Sequence, residues 1–160
     1  MATTAETPSN RGLDRAARRL GELWAHPLGR AETLEKVVAI LEEEIAHFHW
    51  VGIYLVEGDE LVLHSFVGRP TPHPRIPVGQ GICGAAITLN DTVVVDDVKS
   101  DPRYLACSLE TASEIVVPIR AENRPVGEID VDSDTPHAFS EADRRFLEGV
   151  ARRLAPLVGG

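Results

Sequence analysis

Apolar residues recur at intervals of three and four in two stretches of the chain. In the first stretch, within 31–47, they are Leu34, Val37, Val38, Leu41 and Ile45. In the second, near the C-terminus, they are Phe146, Leu147, Val150 and Leu154. This period predicts an amphipathic helix in each stretch. Ser140 and Asp143 form a capping sequence, so the last helix is expected to begin just after Ser140.

Four segments rich in strand-forming residues are joined in pairs. They are 51–56 with 61–66, and 114–121 with 125–133. The connections Glu57-Gly58-Asp59-Glu60 and Glu122-Asn123-Arg124 have the composition of hairpin turns, so both pairs are predicted to be antiparallel. Between the pairs, a glycine turn and a short helix are expected over 79–87, followed by a strand at 92–95.

This order of elements predicts an α+β fold, with a central antiparallel sheet and the N- and C-terminal helices on one face. A chain of 160 residues suits one domain, which is expected over 12–160. Residues 1–11 have no apolar period and are expected to be a flexible N-terminus. Four prolines within 69–78 oppose regular pairing and predict a surface loop, which is a candidate lid.

The formal charge of −9 narrows the range of partners. Nucleic-acid binding needs a concentrated Lys/Arg face, and the acidic field of this chain opposes it. Arg11, Arg15, Arg18 and Arg19 fall on one predicted early helix and are interpreted as its solvated face. The sequence shows neither a signal peptide nor a run of about 18 apolar residues. A cytoplasmic protein with no membrane partner is therefore expected.

The two cysteines are Cys83 and Cys107. Structural disulfides are rare in a reducing compartment, so these thiols indicate chemistry, metal binding or core filling. Cys83 is expected in the first turn of the short helix, where backbone N–H groups and the helix dipole lower a thiol pKa. Cys107 follows a loop that contains Pro102 and can face a cavity. For a lone cysteine, a buried core position is the simpler interpretation.

Acidic residues alternate along the last predicted strand. Glu128, Asp130 and Asp132 point to one face of the sheet. Glu114 opens the preceding strand, and the hairpin should bring it to the same face. One interpretation is a solvated face of an antiparallel sheet. The other is a partly buried cluster of acids that raise the pKa values of one another and serve a cationic or proton-requiring ligand.

A thiol beside carboxylic acids of raised pKa suits the reduction of a sulfoxide. The thiolate attacks sulfur while an acid protonates the oxygen, and a further carboxylate holds the ammonium of a free amino acid. The sulfenic acid that forms condenses with a second thiol, and a thioredoxin-type donor reduces the resulting disulfide. This cycle needs no cofactor.

Five motifs follow one another between residues 50 and 133. They are Trp50-Val51-Gly52-Ile53-Tyr54, Arg75-Ile76-Pro77-Val78-Gly79-Gln80-Gly81-Ile82-Cys83-Gly84, Ala106-Cys107, Ser113-Glu114-Ile115-Val116-Val117-Pro118 and Asp130-Val131-Asp132-Ser133. Together they resemble the free methionine-(R)-sulfoxide reductases, a family built on the GAF fold. The resemblance implies that Cys107 attacks the sulfur of free methionine sulfoxide.

The same resemblance implies which residues bind the substrate. Glu114, Asp130 and Asp132 would hold the sulfoxide oxygen and the ammonium. Trp50 and Tyr54 would wall the apolar part of the pocket.

One position departs from the family pattern. Two residues before Arg75-Ile76-Pro77, where the family usually has a third cysteine, this chain has His73. Cys83 is therefore predicted to resolve the Cys107 sulfenic acid as a Cys83–Cys107 disulfide, unless an external reductant does so directly.

His73, Cys83 and Cys107 could instead ligate a soft metal such as zinc. No close-spaced pair of Cys or His supports that alternative, and no metal is predicted.

A different class of function stays open at this point. GAF domains also serve as non-enzymatic sensors of small molecules, and a pseudo-enzyme that lost its resolving cysteine would keep the pocket. The chain lacks the Asn-Lys-Phe-Asp-Glu pattern associated with cyclic-nucleotide GAF domains, so the enzyme is favoured. The amphipathic first and last helices could also pair two copies of the chain as a homodimer.

Overall fold

A computed structural model describes residues 8–26, 28–105 and 108–159, and Cys107 lies outside these residues. The helices are α1 (Pro8–Ala25), α2 (Arg30–Glu44), α3 (Gly81–Leu89) and α4 (Glu141–Val158), with a 3-10 helix at Val98–Ser100. The strands are β1 (Trp50–Glu57), β2 (Glu60–Val67), β3 (Arg75–Pro77), β4 (Val93–Val95), β5 (Ser113–Ala121) and β6 (Arg124–Ser133).

The strands form one antiparallel sheet in the order β3-β2-β1-β6-β5-β4. Both predicted hairpins are confirmed, since β1 pairs with β2 and β5 pairs with β6. The second turn places Glu122 and Asn123 at positive φ angles of 51° and 65°. That conformation matches the twist of a two-residue hairpin. The long strands β1, β6 and β5 therefore lie side by side in the centre of the sheet.

The two faces of the sheet are covered by different elements. The helices α1, α2 and α4 pack on one face, against apolar residues such as Ile53, Ile129 and Val131. The other face carries α3, which contributes Ile82 and Cys83 to a smaller core. The predicted α+β fold, with its N- and C-terminal helices on one face, is confirmed. The second face, under α3, is where the candidate chemistry lies.

The start of α4 is fixed by the predicted capping sequence. Ser140 Oγ accepts a hydrogen bond from Asp143 N at 3.2 Å, and Asp143 Oδ2 accepts one from Ser140 N at 2.9 Å. His47 Nε2 lies 2.9 Å from the same Asp143 oxygen. This contact ties the segment after α2 to the first turn of α4.

Two expected boundaries differ from the structure. Because α1 begins at Pro8, the segment expected to be flexible is helical over 8–11. The proline-rich loop was predicted without ladder pairing, yet β3 pairs with β2 through Ile76 and Leu61. That prediction is wrong for Arg75–Pro77, because an edge strand tolerates a proline whose missing N–H has no strand to bond.

The exposed face of α1 carries part of the arginine cluster. Arg15 Nε lies 2.9 Å from Glu44 Oε2, and Arg19 Nη1 lies 2.7 Å from Glu43 Oε2. Such exposed pairs contribute little to stability, as expected for a solvated helix face. None of the helices in the described ranges is both long and apolar enough to cross a bilayer.

Candidate active site

Four carboxylic acids lie side by side on the sheet face that α3 covers. Glu128, Asp130 and Asp132 alternate along β6, and Glu114 of β5 lies opposite Asp132. Their exposed fractions are 0%, 3%, 4% and 5% for Glu128, Asp130, Asp132 and Glu114. The interpretation as a solvated sheet face is therefore wrong, and the acids form a buried cluster.

Burial raises the pKa of every acid in this cluster. Desolvation is the main cause for Glu128 and Asp132, and the charge of Asp130 adds to it. The pKa of Glu114 is raised well above its usual range by desolvation and then by the charges of Asp130 and Asp132. Desolvation also raises the pKa of Asp130, and hydrogen bonds with Glu114 and Cys83 act against this rise. Burial therefore favours the protonated form of the acids in this cluster.

Cys83 lies in the first turn of α3, as predicted, and it is a buried free thiol. Its Sγ donates a hydrogen bond to Asp130 Oδ2 at 3.3 Å. The expected lowering of its pKa is wrong. Burial raises the pKa of Cys83 well above its usual value, and the charges of Asp130, Glu128 and Glu114 raise it further. Desolvation and like charges outweigh the N-terminal dipole of a helix of nine residues.

The close approach of α3 to the glycine turn depends on a residue without a side chain. A Cβ added at Gly84 would lie 2.7 Å from the backbone nitrogen of Gly79. Gly79 and Gly81 also have positive φ angles, of 95° and 69°. These glycines let the first turn of α3, with Cys83, sit directly on the sheet.

Trp50 and Tyr54 form an aromatic wall beside the acids. They lie on β1, opposite Asp132 and Glu128 of β6, and their ring centroids are 6.5 Å apart. The Trp50 ring occupies the space over Gly52, where an added Cβ would overlap it. The structure thus brings together both predicted wall residues and the acids, while their part in substrate binding stays a prediction.

The loop 69–78 is attached to this aromatic wall. Trp50 Nε1 donates to the carbonyl oxygen of Arg69 at 3.0 Å, and Tyr54 OH donates to that of His73 at 2.8 Å. The Arg69 guanidinium also pairs with Asp134, with Nη2 and Oδ1 2.5 Å apart. The loop therefore occupies the position that a lid requires, and its opening stays a prediction.

Two small cavities lie under this loop. The larger has a volume of about 20 Å³ and is lined by Tyr54, His73, Ile76, Gly81, Ile82, Cys83, Leu105, Glu114 and Asp130. The smaller has a volume of about 10 Å³ and is lined by Trp50, Arg69, Pro70, Thr71, Ser108, Thr111 and Asp132. A cavity of about 20 Å³ holds little more than one water molecule. A wider surface cleft, beside Arg120 and Glu148, contains none of the clustered acids.

His73 and Cys83 line the same cavity, but Cys107 lies outside the described residues. The attack by Cys107, the Cys83–Cys107 disulfide and the zinc set with His73 therefore stay predictions. Within the described part of the chain, Cys83, Glu114 and Asp130 present donor atoms that all lie within 4.8 Å of one another. Such a spacing can hold a metal ion.

Two residues at the site go beyond the sequence predictions, because Glu128 was predicted only as a member of the acidic face and Arg69 was not singled out. Glu128 is fully buried, and its charge and a hydrogen bond with it both raise the pKa of Cys83. Only the alternation along β6 signalled this residue. Arg69 carries the carbonyl that Trp50 contacts, and no motif in the sequence marked it.

A GAF domain family model matches residues 29–157. The chain is 36% identical over 122 residues to a free methionine-R-sulfoxide reductase of Escherichia coli, covering 76% of this chain and 73% of that protein.

Solved structures of similar proteins cover most of the chain. A type II free methionine-R-sulfoxide reductase from Thermoplasma acidophilum is 44% identical, with a TM-score of 0.79 over 81% of this chain and 92% of that chain. A free methionine-R-sulfoxide reductase from Neisseria meningitidis, in complex with its substrate, is 34% identical. Its TM-score is 0.87, over 99% of this chain and 95% of that chain.

Proposed function

Because the chain belongs to the free methionine-R-sulfoxide reductases of the GAF domain family, we propose that it reduces free methionine (R)-sulfoxide to methionine. The observation that carries this proposal is the buried acid cluster beside Cys83 and the aromatic wall. Protonating a sulfoxide oxygen at neutral pH requires an acid whose pKa is raised, and burial supplies several.

We assign the acids of the cluster two roles. Burial raises the pKa of Glu114 and Asp132, so these groups can donate a proton to the sulfoxide oxygen. Hydrogen bonds with Glu114 and Cys83 oppose the rise in the pKa of Asp130, so its carboxylate can hold the substrate ammonium. Two acids and one carboxylate thus match the two polar ends of the substrate.

Trp50 and Tyr54 supply the apolar contacts of the proposed pocket. Their rings face the methylene and S-methyl groups of the substrate, and each CH₂ removed from water contributes about 0.8 kcal/mol. The Trp50 indole N–H and the Tyr54 hydroxyl are already bonded to the loop 69–78. The aromatic wall therefore presents ring surface to the pocket and fixes the loop at the same time.

The chemical step transfers the sulfoxide oxygen to a cysteine. The Cys107 thiolate attacks the substrate sulfur, the oxygen takes a proton from an acid of the cluster, and the S–O bond breaks as the oxygen moves to Cys107. Methionine leaves, and Cys107 becomes a sulfenic acid. The substrate is reduced by two electrons, and Cys107 is oxidised by two.

The second half of the cycle restores Cys107. In our proposal Cys83 attacks the sulfenic acid, an S–S bond forms, and the hydroxyl leaves as water with the proton of the Cys83 thiol. Asp130 accepts the hydrogen bond from that thiol and is placed to take its proton. A thioredoxin-type dithiol then reduces the disulfide, in a reducing compartment such as the cytoplasm.

The raised pKa of Cys83 makes this resolving step slow until its proton is removed. Direct attack of the external dithiol on the sulfenic acid is therefore the competing route. Peptide mass spectrometry after oxidation by substrate distinguishes them, because only the first route leaves a Cys83–Cys107 linkage.

Substrate entry requires the loop 69–78 to move. The larger cavity has about 20 Å³, far less than a methionine sulfoxide molecule occupies. Opening would break the bonds from Trp50 to Arg69 and from Tyr54 to His73 and release both rings. The loop is thus proposed as a lid that closes over the bound amino acid.

The test is an NADPH-coupled assay with thioredoxin and thioredoxin reductase, run separately on the R and S epimers of free methionine sulfoxide. Turnover of the R epimer by the unmodified chain, and its loss in Cys107→Ser, is the expected result. Turnover that survives Cys107→Ser would reject the proposed nucleophile. If the protein binds the R epimer but does not reduce it with any dithiol reductant, it is a sensor or pseudo-enzyme instead.

A further inference from the structure

Donor atoms from three elements converge at the larger cavity. Cys83 of α3, Glu114 of β5 and Asp130 of β6 all line it, and one donor atom of each lies within 4.8 Å of the others. Cys83 Sγ and Asp130 Oδ2 are 3.3 Å apart. Around a tetrahedral zinc ion, with bonds of about 2.3 Å to sulfur and about 2.1 Å to oxygen, ligand atoms lie about 3.4–3.6 Å apart. The donors are therefore near the spacing of a metal site.

A buried oxygen without a partner independently indicates a ligand at this place. Asp130 Oδ1 is buried and has no hydrogen-bond partner among the described residues, although Asp130 is only 3% exposed and lines the cavity. A buried polar atom left without a partner costs about 1–3 kcal/mol. A cation in the cavity would supply the missing interaction to this carboxylate.

The types of donor select the class of cation. Calcium takes six to eight oxygen ligands, and magnesium prefers octahedral coordination by oxygen. Three side chains, one of which is a thiol, do not provide either arrangement. A thiolate with two carboxylates suits zinc, which accepts sulfur and oxygen in a four-coordinate site. The cavity of about 20 Å³ has room for one such ion.

We propose that Cys83, Glu114 and Asp130 bind one zinc ion in this cavity, with the fourth coordination position open to water. This set differs from the one considered from the sequence, because His73 lines the cavity but does not belong to the group of converging donors. It also needs no contribution from Cys107.

Zinc binding at this site releases protons. Burial raises the pKa of the Cys83 thiol and of the Glu114 carboxyl, so each favours its protonated form. The metal displaces these protons when it binds, so zinc affinity falls as the pH falls.

Zinc and the sulfoxide compete for the same side chains. This consequence rests on the proposed function, in which Glu114 and Asp130 bind the substrate. An ion held by both residues excludes the sulfoxide and also occupies the thiol that would resolve Cys107. The site therefore makes the reductase sensitive to free zinc.

The binding test uses the Cys107→Ser protein, in which Cys83 is the one remaining cysteine. Equilibrium dialysis against zinc, with the metal quantified by mass spectrometry, is expected to give one zinc per chain. Cobalt(II) in place of zinc is expected to produce a near-ultraviolet sulfur-to-cobalt absorption band. Adding Cys83→Ser should abolish the band, and Cys83→Ser or Asp130→Asn should each weaken zinc binding by at least about 10-fold.

Two matched variants in the same background control for general damage to the cavity. Glu128→Gln alters a neighbouring buried acid and His73→Ala alters the cavity wall, and both are expected to retain the cobalt band. Circular dichroism confirms that each variant is folded. The proposal is overturned if Cys107→Ser binds no zinc, if the band survives Cys83→Ser, or if His73→Ala removes it.

These measurements need no turnover, so failure of the zinc site and failure of the reductase assay are distinguishable. Addition of saturating methionine (R)-sulfoxide is expected to weaken zinc binding. Zinc affinity that does not respond to the sulfoxide would overturn the shared site.

Discussion

Glu114 and Asp132 face each other across β5 and β6, and both are almost fully buried. Desolvation raises the pKa of each carboxyl group, and the charge of Asp130 raises both further, whereas the hydrogen bond with Glu114 lowers the pKa of Asp132. At the residue scale, burial beside Asp130 is what favours the protonated form of these two acids.

Glu114→Gln tests the role of that proton. The amide keeps the shape and hydrogen-bonding capacity of the side chain but cannot donate an acidic proton, so kcat/KM for the R sulfoxide is expected to fall by about 10²–10⁴-fold. The decline of activity at alkaline pH, caused by deprotonation of Glu114, should disappear as well. Steady-state kinetics across pH measure both effects.

The control for this variant is Glu35→Gln, which alters an exposed residue of α2. It is expected to leave kcat/KM unchanged. Wild-type kinetics in Glu114→Gln would exclude Glu114 as the proton donor.

Gly52→Ala tests the position of the aromatic wall. The added methyl group would overlap the Trp50 ring, so the ring must move from its place over β1. We expect a KM for the sulfoxide raised by about 10-fold and a loss of stability of about 1–3 kcal/mol. Enzyme kinetics and urea unfolding measure the two effects, and an unchanged KM would argue against Trp50 as a pocket wall.

Secondary-structure elements bring these residues together from distant parts of the chain. The strand β6 supplies three acids, β5 the fourth, β1 the aromatic wall and α3 the thiol. On the opposite face of the sheet, α4 packs against the same central strands and shares a hydrophobic core with them. Loosening α4 should therefore lower stability without altering the chemistry directly.

Ser140→Ala tests this separation between stability and chemistry. The substitution removes the hydroxyl that accepts a hydrogen bond from Asp143 N, so a loss of about 0.5–2 kcal/mol in the free energy of unfolding is expected. Urea unfolding measures the loss, and kcat should stay at the wild-type value. Ser140→Thr keeps a capping hydroxyl and should recover most of the stability. If Ser140→Ala is as stable as the wild type, the capping box does not stabilise α4.

At the scale of the whole molecule, the acid cluster makes folding depend on pH. All four acids have pKa values raised in the folded state, so above about pH 4.5 these four groups bind more protons in the folded chain than in the unfolded chain. Their contribution to stability is complete below the unfolded pKa values and is lost as the pH rises through the folded ones. The stabilisation that these four acids contribute to the folded state should therefore weaken as the pH rises above about 5.

Glu128→Gln isolates one part of this dependence. Glu128 is 0% exposed, and desolvation is the main cause of its raised pKa, so its ionisation is especially unfavourable. Urea unfolding at several pH values should show that the free energy of unfolding declines less with rising pH in the variant than in the wild type. The difference should be about 1.4 kcal/mol for each pH unit by which the folded-state pKa of Glu128 exceeds its unfolded-state pKa. Equal slopes in the variant and the wild type would contradict this account.

Local patterns predict the elements and the members of the site. The hairpin turns, the amphipathic helices and the Ser140–Asp143 cap follow from interactions between residues near in sequence, and all are present. Alternation along β6 also places Glu128, Asp130 and Asp132 on one face, since strand geometry fixes the side on which each residue points. These features depend on the local chain alone.

What covers that acidic face is decided by tertiary structure. A strand with alternating acids is compatible with a wet sheet face, and only the packing of α3 and the loop 69–78 buries it. The same packing reverses the expectation for Cys83. Its place in the first turn of α3 follows from sequence, but its pKa rises because the fold removes water and adds carboxylates around it. The sequence by itself determines the residues and the face on which they lie, whereas solvent exclusion, and therefore their protonation, depends on contacts between distant segments.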